Sequence, residues 1–266
     1  MADREVRRVT KTDCKEWARA FLKAASPTRY NNTLGGLRHV FEVAKDAGII
    51  YGNPAEKLER VPVRAKQLTL PSGDQFVQLV DAVEHAGAWC SRDCADLLRG
   101  LAFTGCRKGE ANQITWCDVD FGTGEIVVRG DPQTGTKNWT VRRVPLTPDA
   151  HALFERMRNE RHSEPLDTKV FRVGECQKAL DRACKKVGMD RITHHDLRHL
   201  FATRCIESGV DIPTTSRWLG HSDGGALAMK TYGHLRREHS MAQAQKVSFA
   251  PLDAKQADVI PFPARA

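Results

Sequence analysis

A tyrosine among histidines and glycines is the first residue of this sequence that suggests chemistry. Of the three tyrosines, only Tyr232 lies in such a setting, G-H-S-D-G-G-A-L-A-M-K-T-Y-G-H. A phenol has a reference pKa of about 10, so only about one in a thousand is ionised at neutral pH. Tyr232 is therefore a candidate nucleophile that needs nearby cations or a base to activate it.

Two arginines are candidates for binding the anion that such a tyrosine would attack. Arg107 lies in T-G-C-R-K-G-E, where Glu110 follows at helical spacing and is expected to hold the guanidinium. Arg198 lies in H-H-D-L-R-H-L-F-A-T, where it shares one polar helix face with His195 while Leu197 faces the core. Attack on a phosphodiester adds negative charge to its oxygens, and bidentate arginines can hold that charge without a metal. For Arg107 the alternative is an ordinary surface charge.

Histidine and cysteine spacing must also be weighed for metal sites. His195 and His199 stand one helical turn apart, as in helical zinc sites. A metalloprotease needs a glutamate beside the first histidine, whereas this chain has Asp196 there and places Arg198 between the two ligands. The eight cysteines include no C-x-x-C pair, so they are predicted to be reduced, partly buried thiols. We predict no metal site, with zinc kept as the alternative.

Five motifs in a fixed order carry a family resemblance: T-G-C-R-K-G-E, T-K ahead of R-R-V-P-L, H-D-L-R-H, L-G-H and T-Y. In this order they resemble the tyrosine recombinase or phage integrase family of site-specific recombinases, from about Thr10 to His234. The resemblance implies a two-domain, C-shaped DNA clamp, built from a helical, SAM-like core-binding domain and a catalytic domain. It also implies that DNA strands are cut and rejoined through a 3′-phosphotyrosyl intermediate, with no metal, ATP or other cofactor.

The same resemblance assigns roles at the scissile phosphate. Arg107 and Arg198 would clamp its oxygens, and Tyr232 would attack it so that the 5′ hydroxyl leaves. The interval from His221 to Tyr232 is longer than is usual in the family and contains Gly224-Gly225. The helix that presents the tyrosine is therefore expected to be mobile.

The resemblance assigns proton transfer, and support of the active site, to other residues that match the family motifs. Lys137, between the second and third predicted strands, would protonate the leaving oxygen. His195 would exchange the tyrosyl proton, and His221 would donate a hydrogen bond to the phosphate. Glu110 and His199 would support the site without acting on the DNA. For the lysine and the two catalytic histidines the alternative is a solvated or structural side chain.

The periodicity of the sequence predicts a mostly α-helical protein with one small antiparallel β-sheet. The predicted helical runs are Thr12 to about Gly48, Asp74 to His85, Asp93 to Phe103, and further segments from Thr147 onward. The predicted strands are Ile114–Phe121, Glu125–Arg129 and Trp139–Pro145. Proline and lost periodicity place a linker at 63–71, between a core-binding domain at 1–62 and a catalytic domain at 72–244, with a tail at 245–266. The amino-terminal side is short for the family, in which many members have an additional arm-binding domain, so a fragment and a minimal form both stay open.

The charge of the chain favours a polyanionic partner. Its 41 Lys and Arg residues against 33 Asp and Glu residues leave a net charge of +8, as expected for binding double-stranded DNA. Candidate contacts to the DNA backbone are Arg29, Arg38, Lys45, Arg64 and Lys66. The sequence has no run of about 20 apolar residues that would span a membrane, so a cytoplasmic location is predicted.

The resemblance further implies a homotetramer on two DNA duplexes, with accessory DNA-bending or directionality proteins as further partners. A type IB topoisomerase would use the same chemistry without exchanging partner strands. A DNA-binding protein that has lost cleavage is the alternative of a different class. A strand-exchange assay on paired sites distinguishes a recombinase from a type IB topoisomerase. Covalent trapping of the protein on DNA distinguishes a recombinase from a DNA-binding protein that has lost cleavage.

Overall fold

A computed structural model describes residues 5–63, 69–129 and 141–221, together with Ala244. The chain divides into two compact units, Met1–Gln67 and Leu68–Ala266. That division falls inside the range 63–71 that the sequence suggests as a linker.

The first unit is built on two helices, α1 (Lys11–Ala24) and α2 (Pro27–Asp46). The single helical run predicted from Thr12 to Gly48 is therefore wrong at one point. Ser26 accepts a hydrogen bond from the backbone of Arg29, and Pro27 occupies the first turn of α2. Because proline restricts the preceding residue and lacks an N–H group, it begins a new helix there and does not continue the old one.

The apolar face predicted on the second of these helices is confirmed. Leu34, Phe41 and Ala44 are buried, and the partly buried Leu37 packs against the core cluster that contains Phe41. The loop after α2 turns at Asn53, whose side-chain amide donates to the carbonyl of Arg38 at 2.9 Å. Local hydrogen bonds and a small apolar core thus hold the first unit together.

The second unit contains seven helices among the residues that the structure describes. They are α3 (Gly73–Glu84), α4 (Ser91–Thr104), α5 (Lys108–Ala111), α6 (Pro148–Glu160), α7 (Gln177–Val187), α8 (His194–Glu207) and α9 (Ile212–Leu219). Helix α4 lies at the centre and packs against α3, α6 and α8. Its residues Leu97, Leu98 and Leu101 are fully buried. This central helix ends at the candidate site.

A three-stranded antiparallel sheet with the order β1-β2-β3 completes the unit. Its strands are β1 (Val119–Asp120), β2 (Glu125–Val128) and β3 (Arg142–Pro145). Ile126 pairs with Val119 on one side and with Val144 on the other, and all three side chains are buried. The predicted fold class, mostly helical with a small antiparallel sheet, is confirmed.

The first predicted strand, Ile114–Phe121, is wrong over most of its length. Trp116–Asp118 form a turn of 3-10 helix instead. The Asp118 carboxylate accepts hydrogen bonds from the backbone and hydroxyl of Thr115, which closes this turn. A local side-chain bond therefore competes successfully with the extended conformation that the apolar pattern favours.

All eight cysteines are free thiols and six of them are buried, which agrees with the sequence prediction. Among the described helices, none combines the length and the apolar character needed to cross a bilayer.

Gly105 ends α4 in the left-handed conformation, with φ at 64°, and a Cβ there would lie 2.4 Å from the ring of Phe201. Gly188 ends α7 in a similar way, with φ at 72°, but no described atom lies within 4 Å of the Cβ position. Gly188→Ala should cost about 1–2 kcal/mol through backbone strain alone. Gly105→Ala should cost about 1–3 kcal/mol more, because the methyl group also forces the core apart. Urea unfolding of both variants measures the difference, and equal losses would contradict the close packing at Gly105.

Candidate active site

The turn between α4 and α5 positions Arg107. Arg107 is the residue that precedes α5, and its backbone N–H donates to one oxygen of Glu110 at 2.8 Å. Its guanidinium Nη1 donates to the other oxygen, also at 2.8 Å. The contact expected from the spacing of these two residues is present. The side chain of Arg107 remains 41% exposed, so its guanidinium is held in place while it still faces solvent.

Glu110 has a second arginine partner that the sequence analysis did not identify. Both Nη atoms of Arg142 donate to the Glu110 carboxylate, at 3.0 and 2.7 Å. Burial alone would raise the pKa of Glu110, but the hydrogen bonds and charges of Arg142 and Arg107 outweigh it and lower the pKa to about 2. Glu110 is therefore ionised at neutral pH. The signal in the sequence is the R-R-V-P-L motif, whose first residue is Arg142.

Arg198 lies in the interior of the second unit and is only 3% exposed. Its Nη1 donates to the carbonyl of Gly105 at 2.7 Å, and its Nη2 donates to the carbonyl of Leu219. Burial and the charge of Arg107 lower the pKa of Arg198 to about 10, so it stays protonated at neutral pH. The polar helix face predicted for α8 is therefore solvated only in part, because Arg198 is buried while His195 is exposed.

His195 and His199 lie next to Arg198 on α8, with ring centroids 4.6 Å apart and the rings nearly perpendicular. Partial burial and the charge of Arg198 lower the pKa of His195, and Asp196 opposes this only in part. Burial and the neighbouring His195 lower the pKa of His199 to about 4. Both imidazoles are therefore neutral at pH 7 and able to accept a proton.

His194, which directly precedes His195 in the chain, has partners of its own. It is buried, and its Nε2 lies 3.2 Å from the thiol sulfur of Cys176. Its Nδ1 lies 3.5 Å from a carboxylate oxygen of Glu175. His194 is therefore held by contacts within the protein, although it also lines the pocket that Arg107, His195 and Arg198 line.

One pocket, with a volume of about 310 Å³, brings the main candidates together. Arg107, His195 and Arg198 all line it, together with Lys108 and Thr193. Two guanidinium groups and a neutral imidazole around one pocket can bind a phosphate group and accept a proton beside it.

His221 follows directly on the end of α9. Gly220 caps that helix in the left-handed conformation, and the backbone N–H of His221 donates to the carbonyl of Ser216 at 3.1 Å. The charge of His221 is one of the influences on the pKa of His199, which places it near the α8 histidines. Two other candidates, Lys137 and Tyr232, lie outside the described residues, as does the predicted tail at 245–266.

The candidate DNA contacts in the first unit have partners within the protein. Arg38 donates to the backbone carbonyls of Ala55, Glu56 and Leu58 and so ties the following loop to α2. Lys45 pairs with Glu42 on the surface. Arg29 is exposed and lies 5.8 Å from the ring centre of Phe21. Two further candidates, Arg64 and Lys66, lie outside the described residues, and the DNA-binding role of all five stays a prediction.

The described part of the chain holds no cluster of metal-ligating side chains. Within residues 5–63, 69–129 and 141–221, no three side chains of His, Cys, Asp or Glu come together as a metal site. The pair His195 and His199 thus has no third ligand of these types among the described residues.

The lowered pKa values give a prediction for pH dependence. NMR titration should place His195 and His199 below the ordinary value of about 6.5, with His199 near 4. Because the unfolded chain takes up these protons first, stability is lost as the pH falls from about 6.5 toward the folded values. His199→Gln should reduce this loss, as measured by urea unfolding at several pH values. Midpoints at or above 6.5 would contradict the desolvated setting of the pair.

Residues 72–239 match the Phage integrase family. The ICEBs1 integrase of Bacillus subtilis is 25% identical, with 91% of this chain and 72% of that protein covered. Tyrosine recombinase XerD of Lacticaseibacillus casei is 27% identical, with 85% and 80% covered. Tyrosine recombinase XerC of Corynebacterium glutamicum is 29% identical over 54% of this chain, and the match spans 49% of that protein, about half of its length.

Solved structures share the fold. The Tn1549 transposon integrase in complex with circular intermediate DNA has a TM-score of 0.67 at 20% identity, covering 91% of this chain and 86% of that one. A lambda integrase dimer bound to a COC′ core site has a TM-score of 0.70 at 17% identity, covering 87% and 82%. The family match takes in 168 of the 266 residues, from 72 to 239. This chain belongs to the phage integrase family, as the order of its motifs predicted.

Proposed function

We propose that this protein is a site-specific recombinase that cuts and rejoins DNA strands through a covalent 3′-phosphotyrosyl bond at Tyr232. The observation that carries the proposal is the pocket in which Arg107, His195 and Arg198 meet. This grouping suits a phosphodiester, because two fixed guanidiniums face the place where negative charge develops.

The two arginines have complementary settings for that task. Arg198 is oriented by two backbone carbonyls, and Arg107 by the ionised Glu110. Each guanidinium carries five N–H donors, so these contacts fix its plane and leave donors for phosphate oxygens. Groups fixed in advance need not reorganise during the reaction, which is the main advantage of such a site.

The reaction balances as a transesterification. The tyrosyl oxygen of Tyr232 forms a bond to phosphorus while the bond from phosphorus to the 5′ oxygen breaks. His195 takes the phenolic proton, Lys137 supplies a proton to the leaving 5′ oxygen, and His221 donates a hydrogen bond to the phosphate. The 5′ hydroxyl of a second strand then attacks the phosphotyrosine, and the same proton transfers run in reverse.

The bond that is broken and the bond that is formed are of the same chemical type. The phosphotyrosine conserves the energy of the phosphodiester, so the proposed reaction needs no ATP. Two arginines and a lysine supply the positive charge that a metal ion supplies in other phosphoryl-transfer sites. We therefore place no metal ion in the reaction.

Double-stranded DNA is the proposed substrate. Its support is the net charge of +8 and the fold shared with integrases whose structures contain DNA. Exchange of two strand pairs needs four tyrosines, so a homotetramer on two duplexes belongs to the proposal. The clamp arrangement and the accessory proteins stay predictions.

Covalent trapping tests the proposal. Duplexes are selected from a randomised pool by binding to the protein, labelled at the 5′ end and nicked at successive positions, so that the short 5′-hydroxyl fragment diffuses away after cleavage. We expect a labelled band of protein size on a denaturing gel, formed equally well in the presence of EDTA. DNA binding without any such band would contradict cleavage, and a band that EDTA abolishes would contradict metal-free chemistry.

Products then separate recombination from simple relaxation. Two duplexes of different length that carry the selected site should yield strands of recombinant length. Relaxed plasmid without recombinant strands would instead identify a topoisomerase that uses the same covalent bond.

A further inference from the structure

Arg142, the first residue of β3, has a largely buried side chain whose three nitrogen atoms all donate hydrogen bonds within the protein. Its two Nη atoms donate to the two oxygens of Glu110 at 3.0 and 2.7 Å. Its Nε donates to the carbonyl of Trp218 at 2.7 Å. The side chain is only 11% exposed. A planar guanidinium that donates hydrogen bonds from all three of its nitrogen atoms holds its partners in a fixed geometry, which the single ammonium group of a lysine could not do.

The partner of Arg142 is the same carboxylate that holds Arg107. One Glu110 oxygen accepts from the guanidiniums of both arginines, and the other accepts from Arg142 and from the backbone N–H of Arg107. Glu110 itself is 2% exposed and lies on α5, which is only four residues long. So short a helix has little stability of its own. The position of Arg107 therefore depends on Arg142 through the shared carboxylate.

The third contact of Arg142 reaches the end of α9. Arg142 holds the carbonyl of Trp218, and Arg198 holds the next carbonyl, that of Leu219. A Cβ at Gly220 would lie 3.0 Å from the Arg142 guanidinium, so the helix end packs directly on this side chain. His221 follows immediately in the chain.

We propose that Arg142 is a positioning residue for DNA cleavage, which holds Arg107 through Glu110 and His221 through the end of α9, and that it does not contact the DNA itself. The inference rests on the proposed function, because its effect is expressed in the cleavage step. It adds one arginine to those that the motifs assign.

Cleavage rates on two substrates test this role. Arg142→Lys should slow formation of the covalent complex about 10²-fold, the scale expected when a catalytic group is displaced by about 1 Å, while DNA affinity is unchanged. A methylphosphonate at the scissile position removes the phosphate charge, so it reduces the need for a well-placed Arg107. The loss of cleavage rate in Arg142→Lys should therefore be much smaller on the methylphosphonate substrate. Arg107→Ala is the reference variant, because it should also lose much more rate on the phosphate substrate than on the methylphosphonate substrate.

The neighbouring arginine offers a matched control. Arg143 lies on the same strand, is 63% exposed and pairs with Glu125 on the surface. Arg143→Lys should leave both rates unchanged. Equal losses on both substrates for Arg142→Lys, or a loss in Arg143→Lys of the same size, would overturn the positioning role, because general damage to the fold does not depend on the substrate.

Removal of one member of a buried ion pair also risks unfolding, so a second variant and a second measurement are needed. Arg142→Met with Glu110→Gln removes both charges together and leaves no unpaired buried ion. This double variant should fold, as judged by thermal unfolding, and should still cleave slowly on the phosphate substrate. Wild-type rates in the folded double variant would overturn the inference.

NMR of ¹⁵N-labelled arginine side chains gives a readout that does not depend on cleavage. The Nε–H signal of Arg107, assigned from its loss in Arg107→Lys, should shift in Arg142→Lys and not in Arg143→Lys. An unmoved signal would refute the inference even if the wild type cleaves DNA. Failure of the wild type to cleave, with a shifted signal, would count against the proposed function and leave the positioning of Arg107 intact.

Discussion

Tyr232→Phe should abolish the covalent protein–DNA complex while duplex binding persists. The substitution removes one oxygen atom, and that oxygen is the proposed nucleophile. Binding depends mainly on phosphate contacts spread over the whole interface, so the loss of one hydroxyl should change it little. Trapping on nicked duplexes measures the first effect, and a gel-shift titration measures the second.

The other two tyrosines are matched controls. Tyr51 is fully exposed, and Tyr30 is buried with its hydroxyl 3.3 Å from the carbonyl of Glu59. Tyr51→Phe and Tyr30→Phe should therefore trap DNA as the wild type does. A covalent complex that persists in Tyr232→Phe and disappears in one of the other two variants would move the nucleophile to that residue.

Arg198→Ala should have the second largest effect, a loss of cleavage of about 10³-fold or more. Removal of one preorganised donor from such a site costs 10²–10³-fold, and a transition-state arginine in phosphoryl transfer is worth about 10³–10⁵-fold. Single-turnover formation of the covalent complex at saturating protein measures the loss without interference from binding.

Stability should fall in the same variant, because Arg198 joins the end of α4 to the end of α9. Its two hydrogen bonds to the carbonyls of Gly105 and Leu219 would be lost. Leaving a buried acceptor without a hydrogen bond lowers the free energy of unfolding by about 1–3 kcal/mol. Arg198→Lys keeps the charge but not the planar fork, so it should lie between wild type and alanine in both measurements.

Arg204 is the matched control on the same helix. It pairs with Glu207, and its side chain is 46% exposed. Arg204→Ala should retain cleavage close to the wild-type rate and lose little stability, as is usual for surface pairs. A cleavage rate in Arg198→Ala that stays within a factor of about ten of the wild type would contradict the clamp, since one lost donor alone should exceed that.

The local part of the site could be predicted from the sequence. Glu110 lies three residues after Arg107, and a helical turn brings such neighbours together whatever the rest of the fold does. The order of the motifs indicates the family without any geometry. The break at Ser26-Pro27 was also readable, because both residues mark a helix start, but the apolar period on either side obscured it.

The contacts of the site between residues far apart in the sequence could not be predicted in this way. Arg198 meets Gly105 across 93 positions of the chain, and Arg142 meets Trp218 across 76. No local pattern encodes such contacts, so the R-R-V-P-L motif does not by itself indicate what Arg142 binds. His194 shows the same limit, since helical spacing alone does not reveal that this pocket-lining histidine also contacts the thiol of Cys176.

The most direct test of the central claim is to locate the DNA-linked residue by mass spectrometry. The trapped complex is digested with nuclease and trypsin, and the peptide Thr231–Arg236, which contains Tyr232 as its only tyrosine, is searched for a nucleotide adduct. We expect the adduct mass on this peptide, with fragmentation placing it on the phenol. An adduct on any other peptide, or a trapped band whose protein carries no nucleotide, would contradict the account.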